Sequence, residues 1–550
     1  MMRPGLPSAV LACVAIAGSV ALIAGPSPKF YRDDPLRQDP ETQDASRVTP
    51  WAVNGAYDLI ENSFLDAGER TDLRAPNVNT LDEVPDSSWF TNRIGVRALT
   101  ADEVETGPIP GSGPAPGPWT IVSGKNEGVT PGLRVTDARG DVYFIKFDPP
   151  ANPEMATGAE VVSTHVLHAL GYHVPENYIA TVGPGDLRIG AGATIKGDNG
   201  RERPFDASDL EAVLAKSARR DDGLYRVVAS KALPGTPLGP FRYHGTRPDD
   251  PNDIYHHEHR RELRGLRVYA AWLNHDETRS NNTLDTLVDD GGRRVVRHHL
   301  IDFGSTLGSG STVAQKPRAG NEYIWEARPT FVTMLTFGLY VRPWIKVKYA
   351  EMPAVGRFEA AYFTPERWKP EYPNAAFDNM RADDAFWAAS RLVAFDDDLI
   401  HAAVKSGRFS DPAAAAYLTQ TLSTRRNKIL QHWLNGVLPL VDFELSSQGV
   451  LTFRNVAVQA DAAQPPTEYR VRWFAFDNHA GGATPIGHES AITKLGAEAP
   501  RALLTQSPEY LCVELRGVHP RHTGWASPVK VYFRRQPQHQ WQLVGVERQP

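Results

Sequence analysis

The chain has 550 residues, which is enough for about three or four domains at roughly 150 residues each. Hydrophobic residues make up 41% and charged residues 23%, so the composition excludes a mostly disordered chain and a many-spanning membrane protein. The net charge of −6 offers no bulk attraction to nucleic acid, which we do not expect as a partner. The two cysteines, Cys13 and Cys512, exclude a disulfide framework and a cysteine-based zinc site within one chain.

Residues 1–25 predict export. The run from Ser8 to Gly25 carries no charge and is rich in Ala, Val, Ile and Leu, as in a signal peptide or a membrane anchor. Residues 10–13, Val-Leu-Ala-Cys, resemble a bacterial lipoprotein cleavage box, but the apolar stretch continues past Cys13. Cleavage, lipidation and retention as a single membrane or lipid anchor therefore remain alternatives, and we expect an extracytoplasmic protein that is secreted, periplasmic or membrane-anchored.

Residues 26–118 predict an N-terminal extension, an extended arm with short helices. Its end is marked by residues 107–118, where Gly and Pro alternate too densely for a helix or a central strand.

Residues 119–240 predict a small antiparallel sheet crossed by one helix. The helix has Asn152 as its N-cap, Pro153 in its first turn and Gly171 as its stop. The predicted strands, which combine β-branched residues with flanking turn signals, are 119–122, 132–136, 142–147 and 225–233.

Residues 241–438 predict a mainly helical region, and residues 439–550 a β-sandwich with alternating hydrophobicity, so that the fold class is α+β. A strand pair turned by residues 289–292 interrupts the helical region. The predicted helices are 261–273, 384–393, 398–406 and 411–434, and the clearest strands of the sandwich are 469–476 and 529–533.

Three polar residues in the helical region have the spacing that phosphoryl transfer requires. Asp276 and Asn281 lie five residues apart directly after a buried helix, and Asp302 follows the strand pair within Leu-Ile-Asp-Phe-Gly. Transfer from ATP needs one carboxylate to position the acceptor hydroxyl, and an amide oxygen with a second carboxylate to hold magnesium. These three residues supply that set.

Two upstream residues complete the pattern. Lys146 lies on a central strand and Glu160 in the middle of the following helix, so we expect them to form an ion pair beside a nucleotide. Residues 123–128, which include Gly124 and Lys125, would form a phosphate-covering loop of backbone amides.

With these motifs, residues 119–435 resemble the atypical members of the protein-kinase-like fold, in particular the HipA toxin kinases and the phosphatidylinositol kinases. The resemblance implies a two-lobed domain, with an N-lobe at 119–240 and a C-lobe at 241–438, that uses ATP and Mg²⁺. The residues that it implies are Lys146, Glu160, Gly124 and Lys125 for the nucleotide, Asp276 as catalytic base, and Asn281 and Asp302 for the metal.

The chain departs from ordinary serine/threonine kinases at two motifs. The usual His-Arg-Asp is Asn274-His275-Asp276, and residues 124–128 lack the Gly-x-Gly-x-x-Gly spacing. The sequence therefore predicts an exported kinase-like phosphotransferase that acts on an unidentified acceptor.

The alternative is a catalytically inactive, pseudokinase-like scaffold that binds a partner at the cell envelope. Export favours it, because the bacterial periplasm and exterior hold little ATP. Each predicted site residue also has a structural interpretation as a strand-edge, helix-surface or turn residue. His256, His257 and His259 favour a solvated helix start over a metal site.

Overall fold

The computed structural model describes residues 27–39, 41–65, 67–125, 130–197, 200–506 and 508–549. Over these residues the fold is mixed α+β, with four β-sheets. The helices are α1 Gly55–Phe64, α2 Ala101–Thr106, α3 Met155–Leu170, α4 Ala207–Ala215, α5 Arg261–Leu273, α6 Ala327–Leu335, α7 Ala375–Asp378, α8 Ala382–Val393, α9 Asp397–Ser406, α10 Pro412–Trp433, α11 Val456–Gln459 and α12 Arg501–Gln506. The strands are β1 Trp119–Gly124, β2 Gly132–Thr136, β3 Val142–Phe147, β4 Asn177–Val182, β5 Leu187–Lys196, β6 Glu202–Pro204, β7 Tyr225–Lys231, β8 Thr236–Gly239, β9 Thr283–Asp290, β10 Arg293–Leu300, β11 Leu440–Leu445, β12 Val450–Asn455, β13 Glu468–Phe476, β14 Ala483–Ile492, β15 Gly496–Glu498, β16 Tyr510–Val518, β17 Val529–Arg535 and β18 Trp541–Arg548.

The first sheet has seven strands in the order β4-β7-β3-β2-β1-β5-β6. It is larger than the sequence predicts, and it is not fully antiparallel, because β5 returns to pair with β1 in parallel. Alternating residues of β1 and β3, such as Ile121 and Ile145, are buried on one face. The sheet thereby fixes which way Lys146, the next residue on β3, projects.

Helix α3 lies against this sheet and begins later than predicted. Glu154, with a φ of 68°, precedes Met155 at the N-cap, while Asn152 donates to the Pro353 carbonyl at 2.8 Å instead of capping the helix. Gly171 ends α3 as predicted, in a left-handed conformation with a φ of 117°.

The helical region is built on α5, whose apolar residues are buried by α8 and α10. The predicted bounds of α5 are confirmed, and the predicted strand pair turned at residues 289–292 is present as the hairpin β9-β10. Asn274 ends α5 in a left-handed conformation with a φ of 51°, which asparagine tolerates better than most residues. The chain therefore turns sharply just before Asp276.

Residues 439–550 form two antiparallel sheets, β11-β12-β15 and β14-β13-β16-β17-β18. Their inward residues, including Val471, Val513 and Val531, belong to the same buried cluster as the residues of α5, α8 and α10. The core is therefore continuous between the helical region and the C-terminal sheets.

The N-terminal extension runs over all these parts, as an arm with the two short helices α1 and α2. Phe30 packs among Phe476, Tyr510 and Tyr532 of the C-terminal sheet, and Trp89 stacks on His298 of β10 at 3.5 Å between ring centroids. Within the described ranges, no helix has the length and apolar character needed to cross a bilayer. The apolar run at 8–25 lies outside the described residues.

Candidate functional site

The site is centred on Lys146. Its ammonium Nζ lies 2.8 Å from Glu160 Oε2 and 2.8 Å from Asp302 Oδ1. The ion pair between Lys146 and Glu160 that the sequence predicts is therefore confirmed. The structure adds Asp302, 156 residues away in the chain, as a second partner of the same ammonium.

Glu160 is held in place on all sides. Its side chain is 1% exposed, and Oε1 accepts hydrogen bonds from the Phe303 amide at 3.0 Å and from Asn177 Nδ2 at 3.4 Å. A carboxylate with this many donors has little freedom to rotate. Glu160 thus connects α3, β4 and the segment that carries Asp302.

The charges of this cluster stabilise one another. Burial opposes the charge on Lys146, but the adjacent Asp302 and Glu160 carboxylates outweigh it and raise the pKa of the ammonium. Burial likewise opposes ionisation of Asp302, but Lys146 outweighs it and holds the pKa of that carboxyl below its usual range. The Lys146 ammonium and the Asp302 carboxylate are therefore both charged at neutral pH.

Asp302 keeps one side open. Its side chain is 42% exposed although one oxygen contacts Lys146. Its backbone is left-handed, with a φ of 62°, which reverses the chain before Phe303, a residue that is completely buried. An ionised carboxylate with an open face is a suitable ligand for a hard cation such as Mg²⁺.

Of the two residues predicted to cover the phosphates, Lys125 lies near this cluster. Gly124 instead contributes to the packing of β1 against β5. Burial and the charge of nearby Lys146 lower the pKa of Lys125. A Cβ on Gly124 would lie 2.7 Å from Ile195 Cδ1, so the glycine is required where β1 meets β5. The remainder of the predicted phosphate-covering loop, residues 126–129, lies outside the described residues.

Asp276 is a buried carboxylate directly after α5. It is 8% exposed, and its Oδ1 accepts a hydrogen bond from Gln315 Nε2 at 3.0 Å. Burial, together with the negative charges of Glu277 and Glu371, raises the pKa of Asp276 to about 8. The group therefore changes its charge close to neutral pH, where a general acid or base works best.

Gln315 was not predicted. Its Nε2 also donates to the Asn274 and Ser305 carbonyls at 3.0 and 3.2 Å, and its Oε1 accepts from Asn274 Nδ2 at 2.7 Å. It holds the turn after α5 and Asp276 together. No motif marks it, since it lies in an irregular segment 39 residues from Asp276.

Asn281 is exposed and lies in the 3₁₀ turn Ser280–Asn282. The next residue, Asn282, joins this turn to the others: its Nδ2 donates to the Glu277 carbonyl at 2.9 Å, and its own carbonyl accepts from the Ile301 amide at 3.0 Å. The turn is therefore fixed beside the strand end that leads into Asp302.

The N-terminal extension contacts this turn and supports it. The sequence does not reveal this contact. Asp58 of α1 is 1% exposed and accepts from Ser280 Oγ at 2.8 Å and from the Tyr372 hydroxyl at 2.5 Å. A Cβ on Gly55 would lie 2.7 Å from Asn281 Nδ2. The start of α1 and the Asn281 side chain are thus in close contact.

The histidines before α5 are more buried than predicted. His257 and His259 are 1% and 4% exposed, and only His256 is at the surface, so the predicted solvated helix start is wrong for two of the three. His257 Nε2 lies 2.7 Å from Asp253 Oδ2, and His259 Nδ1 accepts from Arg264 Nη2 at 2.7 Å. Since Nδ1 accepts this bond, Nε2 of a neutral His259 carries the proton and faces Glu69 Oε2 at 3.4 Å as a donor. Ligand atoms of Glu69, His256 and His259 lie within 4.8 Å of one another, so these three side chains are close enough to share a metal ion.

Comparison of the chain with models of protein families, with curated proteins and with solved structures found no match. Conclusions about function therefore depend on the geometry of the site.

Proposed function

We propose that the protein is an exported kinase-like phosphotransferase that moves the γ-phosphoryl group of ATP to a hydroxyl-bearing acceptor. In this proposal residues 119–240 act as the N-lobe and 241–438 as the C-lobe of a protein-kinase-like domain, with a β-sandwich after it. ATP binds between the lobes beside Lys146 and Lys125, whose positive charges complement its phosphates.

The single observation that carries the proposal is the position of Lys146 between Glu160 and Asp302, at 2.8 Å from each. If Lys146 had only a structural role, the Glu160 carboxylate alone would neutralise its charge. The second carboxylate has an open face, and it begins a segment whose Phe303 amide is bound by Glu160. This arrangement couples the lysine, the helix glutamate and a metal-binding carboxylate, as phosphoryl transfer requires.

Asp302 and Asn281 would hold Mg²⁺, because they combine an ionised, half-open carboxylate with the side-chain amide of an exposed residue. The ion, when bound, neutralises charge on the phosphates. Asp276 orients the acceptor hydroxyl and takes its proton as the new oxygen–phosphorus bond forms and the bond to the ADP oxygen breaks. Gln315 keeps the Asp276 carboxylate in position, and Glu160 keeps Lys146 in position.

The proposal is tested by measuring Mg²⁺-dependent ATP binding by calorimetry, and transfer from γ-labelled ATP, in the full chain. Lys146→Met removes the ammonium from the phosphates, so ATP affinity should fall by about tenfold or more. Asp276→Asn leaves the metal and nucleotide groups intact, so ATP should still bind while transfer falls by about 10²–10⁴-fold.

The matched control is Lys405→Met, which removes an exposed lysine paired with Glu105. It should change neither ATP binding nor transfer. If the parent binds Mg-ATP but transfers nothing to protein, lipid or water, the pseudokinase-like scaffold replaces the enzyme. If the parent binds no ATP with any divalent ion, the kinase-like assignment is wrong.

A further inference from the structure

A protruding apolar surface lies on the segment 324–348, which contains α6 and the loop after it. Ten large apolar side chains of this segment are exposed: Ile324, Trp325, Phe331, Met334, Leu335, Phe337, Leu339, Tyr340, Val341 and Ile345. Single exposed apolar residues are common on soluble proteins, but a contiguous group of this size marks an interaction surface. We call it the apolar tip.

The most exposed side chains of the apolar tip lie in the loop after α6. Phe337 is 94% and Leu339 is 84% exposed, so these side chains project from the molecule instead of lining a groove. The loop has a defined shape, since the Phe337 amide donates to the Met334 carbonyl at 3.1 Å and the Gly338 amide to the Thr333 carbonyl at 2.9 Å. Phe337 and Gly338 have positive φ values of 50° and 81°, which turn the chain sharply at the end of α6.

Positive charge surrounds the apolar tip. The segment 324–348 has four basic residues and one acidic residue, a net charge of +3 in a chain whose net charge is −6. Arg328, Lys346 and Lys348 are exposed, and no ion pair joins them to a carboxylate in the described part of the chain. By contrast Arg342, also in the segment, is paired with Glu322.

Aromatic residues of mixed polarity complete the pattern. Trp325 and Tyr340 belong to the apolar tip and are exposed. Such rings favour the boundary between hydrocarbon and headgroups, where one edge is apolar and the other is wet. An anionic lipid surface would accommodate all three features: the projecting aliphatic and phenyl groups, the cations of the segment and the amphipathic aromatic rings.

We propose that the apolar tip inserts into the interfacial layer of an anionic lipid bilayer. A bilayer accommodates a convex apolar projection, whereas a folded protein partner would need a groove shaped to receive it. This interaction does not depend on the phosphotransferase proposal or on residues 1–25.

The surface would also orient the molecule. The Ile324 amide donates to the Glu371 carbonyl at 2.7 Å, and the Glu371 amide donates to the Asp276 carbonyl at 2.7 Å. The apolar tip is therefore joined to the turn of Asp276 by two short hydrogen bonds. When it is inserted, that turn lies near the lipid surface.

The test uses the full chain with Cys13→Ser, so that one introduced cysteine carries an environment-sensitive fluorophore; Cys512 is buried and would not label. Leu339→Cys places the probe on the apolar tip. Ile254→Cys, at a position that is 68% exposed outside the segment, is the matched control. Vesicles are pure phosphatidylcholine, or phosphatidylcholine with a quarter phosphatidylglycerol.

We expect a blue shift and a several-fold rise in emission at position 339 with the anionic vesicles, a smaller change with pure phosphatidylcholine, and none at 254. Equal responses at 339 and 254 would overturn the proposal, because residues 1–25 alone would then explain vesicle binding. A blue shift at 339 that depends on protein concentration without vesicles would also overturn it, in favour of a second copy of the chain as occupant.

A charge variant tests the electrostatic part. Arg328→Glu/Lys346→Glu/Lys348→Glu should remove the preference of the probe at 339 for anionic vesicles, while circular dichroism stays unchanged because all three side chains are exposed. Arg188→Glu/Lys216→Glu/Lys494→Glu makes the same charge change at exposed sites elsewhere and should retain the preference. If the two triple variants behave alike, the cations of the apolar tip do not contact lipid.

Discussion

The surroundings of the Asp276 side chain disfavour its ionised form. Asp276 is 8% exposed, its partner Gln315 is a neutral amide, and Glu277 and Glu371 repel a negative charge on it. A carboxylate with only a structural role is usually paired with a cation when it is buried. The strain of this environment is consistent with a residue that is retained for its chemistry.

Asp276→Asn should therefore stabilise the protein while it lowers transfer by about 10²–10⁴-fold. The pKa of Asp276 is raised from 3.8 to about 8, so between those pH values the folded state keeps a proton that the unfolded state has lost, and folding becomes less favourable as pH rises. We expect parent and variant to unfold with similar free energies near pH 4, and the variant to be more stable by about 1–3 kcal/mol at pH 8.

Thermal unfolding of both proteins at several pH values measures this difference. Asp221→Asn, at an exposed position, is the control and should show no such dependence on pH. Transfer by the parent should rise as pH approaches 8, because Asp276 must lose its proton to act as a base. A variant that is less stable than the parent at pH 8 would show that the carboxylate is structural.

Helix α1 has a role at the level of the elements, because it contacts the turn that carries Asn281. Asp58 anchors the helix to Ser280, and Gly55 leaves room for the Asn281 side chain. A glycine in the first turn of a helix lowers helix stability by about 0.5–1 kcal/mol relative to alanine. Close contact with Asn281 explains why a glycine is tolerated there.

Gly55→Ala should separate stability from activity. The new Cβ would lie 2.7 Å from Asn281 Nδ2, so this flexible side chain would move while the backbone stays in place. We expect unchanged or slightly higher thermal stability, with Mg²⁺-dependent transfer reduced by about 10- to 100-fold through misplacement of the proposed metal ligand, Asn281.

The control for this prediction is Gly192→Ala in β5, where a Cβ meets no atom within 4 Å. Both variants are assayed for unfolding temperature and for transfer over a range of Mg²⁺ concentrations. If Gly55→Ala has the parent's activity at every concentration, Asn281 does not bind the metal from its observed position.

A buried network of charges joins the N-terminal extension, the helical region and the C-terminal sheet. Arg261 of α5 contacts Asp82 of the N-terminal extension at 2.8 Å, and Asp383 and Asp384 of α8 at 2.9 and 3.0 Å. Asp82 also contacts Arg548 at the end of β18 at 3.2 Å. Extension, helical region and C-terminal sheet therefore meet at one ion cluster, which agrees with their continuous core.

Asp82→Asn should destabilise all of these parts at once, by about 3–5 kcal/mol at neutral pH, since it leaves Arg548 without its carboxylate partner and Arg261 with two carboxylates instead of three. Burial opposes ionisation of Asp82, but Arg261 and Arg548 outweigh it and lower its pKa from 3.8 to about 2. Its stabilising effect is thus complete above pH 4 and is lost as pH falls through about 2.

Chemical unfolding followed by tryptophan fluorescence at pH 7 and pH 3 tests this prediction. The effect of Asp82→Asn should be smaller at pH 3. Asp442→Asn, which removes an exposed partner of Arg454, should cost less than about 1 kcal/mol at either pH. Two separate unfolding transitions in the parent would contradict a single network that joins the regions.

The local elements could be predicted from sequence because their signals are local. Helix α5, helices α8 to α10, the strands β1 to β3 and the hairpin β9-β10 all have periodic apolar residues and clear cap or turn residues within them. The pair Lys146 and Glu160 was predictable for the same reason, since a strand and the helix that follows it pack together and leave few relative positions.

The sequence by itself thus determined the mixed α+β composition, most element bounds of the central part and the ion pair of Lys146 with Glu160, whereas the roles of Asp276, Asn281 and Asp302 in a site stay predictions. Only the tertiary structure decided the parallel pairing of β5 with β1, the bond of Gln315 to Asp276, the support of Asn281 by α1 and the burial of His257 and His259. The three contacts join residues that are distant in the chain. The burial of the two histidines depends on which other segments pack over them. Hydrophobic periodicity shows which face of an element is buried, but not which distant polar group will meet it, because that choice is made by the packing of the whole chain.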